Sequence, residues 1–395
     1  MIYLISSILL LLPAYLIRFS IFGIPSTVLE ILIYVVFLYG LWQARKNGFK
    51  PIPLKIWIVP AALVIALIIS TIISPDKRVA LGEFKGFFID PLLFLWLLWQ
   101  FGKKEKLPML FVSLILSGLF VAIHTVLQKI LGHVTPDGRV IGIFGYSPNY
   151  LALFLMPIAV LVFSLGWYYL AKKKVLWSLG ADLTFILIGL AIYFSGSRGG
   201  IMSLAFGLGI FFLAKYWRFI GQRFSSKIIV AILILAAIYT AWTFIRPDFS
   251  ASPASGRVAS SNNVRWQIWQ ASWELGTKNI KNSLLGVGLG NFQNAFGELT
   301  KDRANFPEYI TPMALTPHNI YLMFWLSTGL LGLLSFLALL VLFFREIRKN
   351  LSGEFAPIIL GVFSAIAIYG LVEASIWKND LSIIFFFFWG AAWLL

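Results

Sequence analysis

Long apolar runs separated by short polar segments dominate the chain from its first residues to its last. Runs of roughly 17 to 25 residues match the length a helix needs to cross ~30 Å of hydrocarbon. The pattern places such runs at 2–22, 26–43, 56–73, 86–101, 108–129, 148–171, 176–195, 198–214, 228–245, 317–344, 355–375 and 380–395. The expected fold is therefore an all-α integral membrane protein of about twelve transmembrane helices, forming one polytopic domain over 1–395. The run that begins at Ile2 lacks the basic start and small-residue cleavage site of a signal peptide, so it reads as a retained first span. One long segment interrupts the pattern, at 246–317 between the ninth and tenth runs. Loops of that length are usually functional. Its Ser/Ala/Pro/Gly-rich opening, 250–261, reads as flexible. A helix is expected over 262–277, where Trp266, Trp269 and Trp273 recur at helical spacing, suited to a membrane interface.

The short segments between runs differ in charge, and the difference fixes an orientation. Alternate segments hold Arg45, Lys46, Lys50 and Lys55; Lys103, Lys104 and Lys106; Lys172, Lys173 and Lys174; Lys215, Arg218, Arg223 and Lys227; and Arg345, Arg348 and Lys349. The segments of opposite parity carry only Lys77, Arg78, Lys85, Lys129, Arg139, Arg198 and Lys378. Positive-inside bias then puts both termini in the cytoplasm and the long loop outside. A net charge of +16 would otherwise suggest nucleic acid; here the inner loops account for it, and no nucleic-acid partner is expected. Composition agrees, with 59% hydrophobic and 12% charged residues, far from a soluble domain. The absence of cysteine removes disulfides, thiolate metal sites and a catalytic thiol. Sixteen scattered carboxylates and three histidines offer no ligand cluster, so neither metal nor cofactor is expected.

Candidate chemistry gathers on the outward side. Arg139 lies in the Gly138–Asn149 stretch before the sixth run, Arg198 at the start of the eighth, and Arg265 at the start of the tryptophan helix. A lone arginine at a span end can be an interface anchor. Arg198 has more around it: Ser197 can cap the helix, and Gly199 and Gly200 leave backbone N–H groups open, so dipole, amides and guanidinium converge on a phosphate-sized anion site. Arginine's planar fork suits bidentate phosphate binding better than lysine does. The second feature is Thr316-Pro-His-Asn-Ile-Tyr321. Thr316 reads as an N-cap and Pro317 as the first helical residue, which puts His318 in the first turn as either a polar interface residue or a general base. His124 and His133 are weaker candidates, one inside a run and one in a loop. Glu30, Asp90 and Glu373, near outer span ends, could pair with the arginines or orient His318. The glycines of Gly286-Val-Gly-Leu-Gly290 follow no strand, which argues against a dinucleotide site.

Taken together, Arg139-x2-Gly142-x6-Asn149, Ser197-Arg-Gly199, Arg265-x3-Trp269, Gly286-Val-Gly-Leu-Gly-Asn-Phe292 and His318-Asn-x-Tyr-Leu322 resemble the O-antigen ligase and O-antigen polymerase superfamily, in order over a catalytic region at about 130–345. The resemblance implies a glycosyltransferase-C-like bundle with a large outer loop between helices 9 and 10. It implies a metal-independent inverting enzyme of the bacterial cytoplasmic (inner) membrane. The donor would be an undecaprenyl-diphosphate-linked glycan and the acceptor a lipid A core sugar or a second glycan, giving ligase or polymerase. Under it, His318 is the base, and Arg198 and Arg265 hold the diphosphate, with Arg139 as a third contact. Asn149, Ser197, Gly199, Trp269, Asn319 and Tyr321 fall in the same motifs and are the expected substrate-binding residues. A transporter or flippase of lipid-linked or anionic solutes is the alternative. It should show broken spans in two matching halves, whereas the charges here gather at one face.

Overall fold

The computed structural model describes residues 1–21, 24–145, 147–223, 261–303 and 314–395. The expected ninth span at 228–245 and the stretches 246–260 and 304–313 of the long loop lie outside them. The described chain is α-helical apart from one short hairpin, β1 (Arg18–Ile21) against β2 (Ile24–Thr27). The helices before the long loop are α1 (Ile2–Leu10), α2 (Val28–Asn47), α3 (Leu54–Ile73), α4 (Lys77–Phe84), α5 (Asp90–Phe101), α6 (Leu107–Ile130), α7 (Pro148–Ala171), α8 (Val175–Phe194) and α9 (Arg198–Arg223). The loop contributes α10 (Ser261–Thr277), α11 (Ile280–Leu285) and α12 (Phe292–Thr300). After it come α13 (Ile320–Lys349), α14 (Ala356–Tyr369) and α15 (Asn379–Ala391).

Seven helices among the described residues are long and apolar enough to cross a membrane: α2, α3, α6, α7, α8, α9 and α13. The molecule is an all-α integral membrane protein. One expectation about its spans needs correction. The stretch 2–22 is not one crossing helix: α1 ends at Leu10, a 3₁₀ turn follows over Leu12–Leu16, and the chain then enters the hairpin. Pro13 is the cause, since it has no N–H to donate and its ring obstructs the preceding turn. Nine residues rise only about 14 Å, and Ile5, Ile8, Leu9 and Tyr15 are fully buried in protein. The last two runs form the shorter apolar helices α14 and α15, enclosed by the other helices, with nearly every α15 side chain buried.

Local chemistry explains where the crossing helices begin. Thr27 and Glu30 form a capping box at α2, each side chain accepting the other's backbone N–H at 3.2 Å. Ser147 caps α7, with Pro148 at its first position. Helix α7 is buried along most of its length and α8 is mostly exposed, so α7 lies inside the bundle and α8 at its surface. Helices α9 and α14 meet backbone to backbone where Gly207 and Gly361 face each other, since a Cβ on either would lie within 3.0 Å of the other's carbonyl oxygen.

The glycine run of the long loop is a packing device. Gly286, Gly288 and Gly290 all have positive φ, at 78°, 100° and 72°. A Cβ on Gly288 would sit 2.6 Å from the Ser74 backbone, and one on Gly286 2.6 Å from the Leu326 carbonyl oxygen. The loop thus wedges between the end of α3 and a break in α13 at Gly329, whose φ of 68° interrupts the helix. Val287 donates its N–H to Leu326 at 2.7 Å, and the hydroxyls of Ser70 and Ser74 donate to the carbonyls of Ser327 and Leu289.

Candidate functional site

The starts of α7, α9 and α13 and the end of α14 come together on one side of the bundle, and their polar residues converge on a single carboxylate. Glu373 lies in the turn after α14, 5% exposed. Its Oε1 accepts from Asn149 Nδ2 at 2.8 Å and from an Arg265 terminal nitrogen at 3.0 Å, while Oε2 lies 2.8 Å from His318 Nδ1. Burial by itself would raise the pKa of this carboxyl. The charges and hydrogen bonds of His318 and Arg265 outweigh it and hold Glu373 well below the ordinary carboxylate range. In a neutral imidazole, an ionised Glu373 accepting at Nδ1 favours the proton there and leaves Nε2 with the lone pair. The His318 side chain is 34% exposed against 14% for Arg265 and 7% for Glu373, so the imidazole is the member that meets an incoming molecule.

The backbone that presents His318 differs from the sequence expectation. The cap of α13 is Asn319, whose side-chain oxygen accepts from the N–H groups of Tyr321 and Leu322 at 2.9 and 3.0 Å. Thr316 is therefore not the N-cap and His318 precedes the helix. Its φ is +46°, a left-handed conformation uncommon for a residue with a Cβ. The surrounding contacts impose it. Ile320 donates its N–H to Gly370 at 2.7 Å, Asn319 Nδ2 donates to Leu371 at 3.0 Å, and Trp269 Nε1 donates to the Pro317 carbonyl at 2.9 Å. The first two bonds bring the His318 turn against the Glu373 turn.

Ser197 caps α9 through a 3.4 Å bond to the Gly200 N–H, and its hydroxyl pairs with Tyr369 Oη at 2.7 Å. A Cβ on Gly199 would lie 2.9 Å from the Tyr369 ring and 3.1 Å from Val372, so this glycine allows the helix start to seat beside Glu373. Arg198, the first residue of α9, is exposed there. The site thus offers a histidine with a buried carboxylate behind it, the Arg265 guanidinium on that carboxylate, and an exposed arginine at a helix start close by, which suits deprotonating a hydroxyl next to a bound anion.

Two comparisons bear on what such a site belongs to. A family model described as O-antigen ligase matches residues 183–337. The O-antigen ligase of Salmonella typhimurium (strain LT2) is 22% identical over 352 residues, covering 85% of this chain and 81% of that protein. The chain is thus similar to O-antigen ligases, most directly over residues 183–337. Within the matched O-antigen ligase region stand Ser197, Arg198, Gly199, Arg265, Trp269, His318, Asn319 and Tyr321, while Arg139, Asn149, Tyr369 and Glu373 lie outside it.

The remaining candidates fall into place around this centre. Arg139 lies near the start of α9: a Cβ on Gly196, two residues from Arg198, would meet its side chain at 2.7 Å, while its Nε pairs with Asp137 at 2.6 Å. Asn319 and Tyr321 have their polar atoms on protein partners, Tyr321 donating its hydroxyl to the Ala367 carbonyl at 3.1 Å. Of the three acids singled out in the sequence, only Glu373 reaches the histidine. Glu30 pairs with Lys85 at 3.0 Å, and Asp90 is buried at the start of α5. His133 is exposed, and His124 is half-buried in α6 with its Nδ1 enclosed. Tyr369, which ties Ser197 to the Glu373 turn, gave no signal in the sequence, being one more aromatic at the end of an apolar run.

Proposed function

We propose that this protein transfers a glycan from an undecaprenyl-diphosphate carrier to an acceptor hydroxyl at the outer face of the bacterial cytoplasmic membrane, with inversion and without a metal ion. The observation that carries the reading is the hydrogen-bonded set His318–Glu373–Arg265, seated beside the start of α9. In the step proposed, His318 Nε2 takes the proton of the acceptor hydroxyl, and the acceptor oxygen bonds to the anomeric carbon. The bond from that carbon to the phosphate oxygen breaks from the opposite side, and the electron pair leaves with the diphosphate. Arg198 and Arg265 meet the developing negative charge, with Arg139 as a third cation. Pre-placed guanidinium groups are the kind of fixed positive charge that stabilises such a leaving group without reorganisation. Glu373 keeps Nδ1 protonated and stabilises the imidazolium that forms.

The orientation that this reading needs is supported by the charge pattern of the loops: five cationic segments inside and the site outside. O-antigen synthesis is the setting in which the family's lipid-linked donors and acceptors occur. The test is to incubate purified protein with undecaprenyl-diphosphate glycan, with and without a lipid A core acceptor. Extended lipid-linked glycan without the core identifies a polymerase, and product that appears only with the core identifies a ligase. Absence of transfer to either acceptor would defeat the reading.

A further inference from the structure

Helix α10 grips both members of the histidine–glutamate pair, and it does so from one face. Arg265 and Trp269 are four residues apart and so lie one turn above the other. Arg265 holds the Glu373 carboxylate at 3.0 Å, and Trp269 holds the carbonyl of Pro317, the residue before His318, at 2.9 Å. At its other end the helix is seated on α13, since a Cβ on Gly276 would lie 2.7 Å from the Trp325 ring, whose Nε1 donates to the carbonyl of Ser283 in the following helix α11 at 3.0 Å. The strained point between these anchors is His318, with its φ of +46°. A residue with a Cβ stays in that region only where its surroundings determine it. The Thr316 hydroxyl, 3.4 Å from the His318 N–H, is a weak restraint. The Trp269 bond is the one on the N-terminal side with good length, and it fixes the peptide plane from which His318 starts.

We propose that Trp269 is a positioning residue for His318: its indole N–H, bonded to the Pro317 carbonyl, holds the left-handed turn that directs Nδ1 onto Glu373 and presents Nε2 to the acceptor. This inference rests on the transferase reading for its kinetic arm and on geometry alone for its chemical arm. A ring at position 269 also packs edge-on against Trp266, with centroids 6.5 Å apart, so the role of the N–H must be separated from that of the ring.

Replacing Trp269 with β-(3-benzothienyl)alanine keeps the bicyclic shape and exchanges N–H for sulfur; Trp269→Phe is the simpler companion. In lipid nanodiscs, the benzothienyl variant should lose on the order of 10- to 100-fold in kcat, the scale set by small misplacements of a catalytic group. KM for donor and acceptor should stay within about twofold. Carbethoxylation of histidines, mapped by mass spectrometry, should speed up several-fold at His318 and remain unchanged at His124 and His133. Wild-type kcat with wild-type His318 reactivity overturns the proposal. So does a raised KM at unchanged kcat, which would make Trp269 a substrate contact, or faster modification of all three histidines, which would mean general loosening of the fold. If the unaltered protein transfers no glycan, the transferase reading fails, and the selective change at His318 still decides the positioning role.

Discussion

Replacing Glu373 by glutamine tests the site at its centre. The amide is nearly isosteric, so packing is kept while one buried negative charge is removed from between Arg265 and His318. Two effects follow and can be worked separately. For catalysis, His318 loses a charge-assisted partner at 2.8 Å, and hydrogen bonds to charged groups contribute about 1.5–3 kcal/mol. At about 1.4 kcal/mol per tenfold, kcat should fall roughly 10- to 150-fold. The loss should be larger if the amide presents its NH₂ to Nδ1, which forces the proton onto Nε2 and removes the lone pair. For stability, Arg265 keeps its charge at 14% side-chain exposure without its carboxylate, and breaking a buried pair costs up to about 3–5 kcal/mol. Adding Arg265→Met to Glu373→Gln should recover most of the lost thermal stability and none of the activity. The assay is initial-rate transfer from lipid-linked donor in nanodiscs, with thermal unfolding followed by tryptophan fluorescence. A Glu373→Gln protein that turns over at the wild-type rate would refute the assignment of the histidine's partner.

Other outcomes follow from the same geometry. His318→Ala should abolish transfer while expression and binding of the lipid carrier, measured by co-purification, stay nearly intact. Arg198→Lys should lose most activity despite unchanged charge, because a point ammonium cannot span two phosphate oxygens; wild-type turnover would count against diphosphate clamping. Gly288→Ala should lower yield and thermal stability by about 2 kcal/mol or more, since its φ of +100° and the 2.6 Å approach to the Ser74 backbone leave no room to relax. The depressed pKa of Glu373 sets a pH signature: its ion pairs contribute fully above the ordinary carboxylate range and are lost only as pH falls toward about 2. In a His318→Ala background, where only the Arg265 pairing is read, the gap in unfolding temperature between the Glu373 and Glu373→Gln proteins should therefore hold steady above the ordinary carboxylate range and narrow only in stronger acid.

The arginines, His318 and the membrane class were legible in the sequence because each leaves a local signature: charge at the end of an apolar run, a motif, or a length that fits a bilayer. What could not be read depends on contacts between distant segments. Nothing local separates Glu373 from Glu30 and Asp90; only folding brings it 55 residues back to His318. The cap of α13 was misread because Thr316-Pro317 satisfies the usual rule for a helix start. Pairing of Asn319 and Ile320 with the Gly370–Leu371 turn pulls the chain aside and moves the start to Ile320. The first run looked long enough to cross a membrane because hydropathy ignores the direction of the chain, and Pro13 ends the helix early, before the chain enters a hairpin. Trp269 showed its helical spacing but not its task, since its indole hydrogen bond is made to backbone from another segment.

The break in α13 and the glycine run beside it are halves of one construction. Interrupting a helix at Gly329 takes the carbonyls of Leu326 and Ser327 off their usual partners, and such groups are expensive to abandon where water is scarce. The donors come from elsewhere in sequence, a loop amide at Val287 and the Ser70 hydroxyl. Neither half is therefore portable. Straightening the helix would evict the loop, and shortening the loop would strand the carbonyls, so grafting this extramembrane segment onto another bundle requires the fractured helix to travel with it.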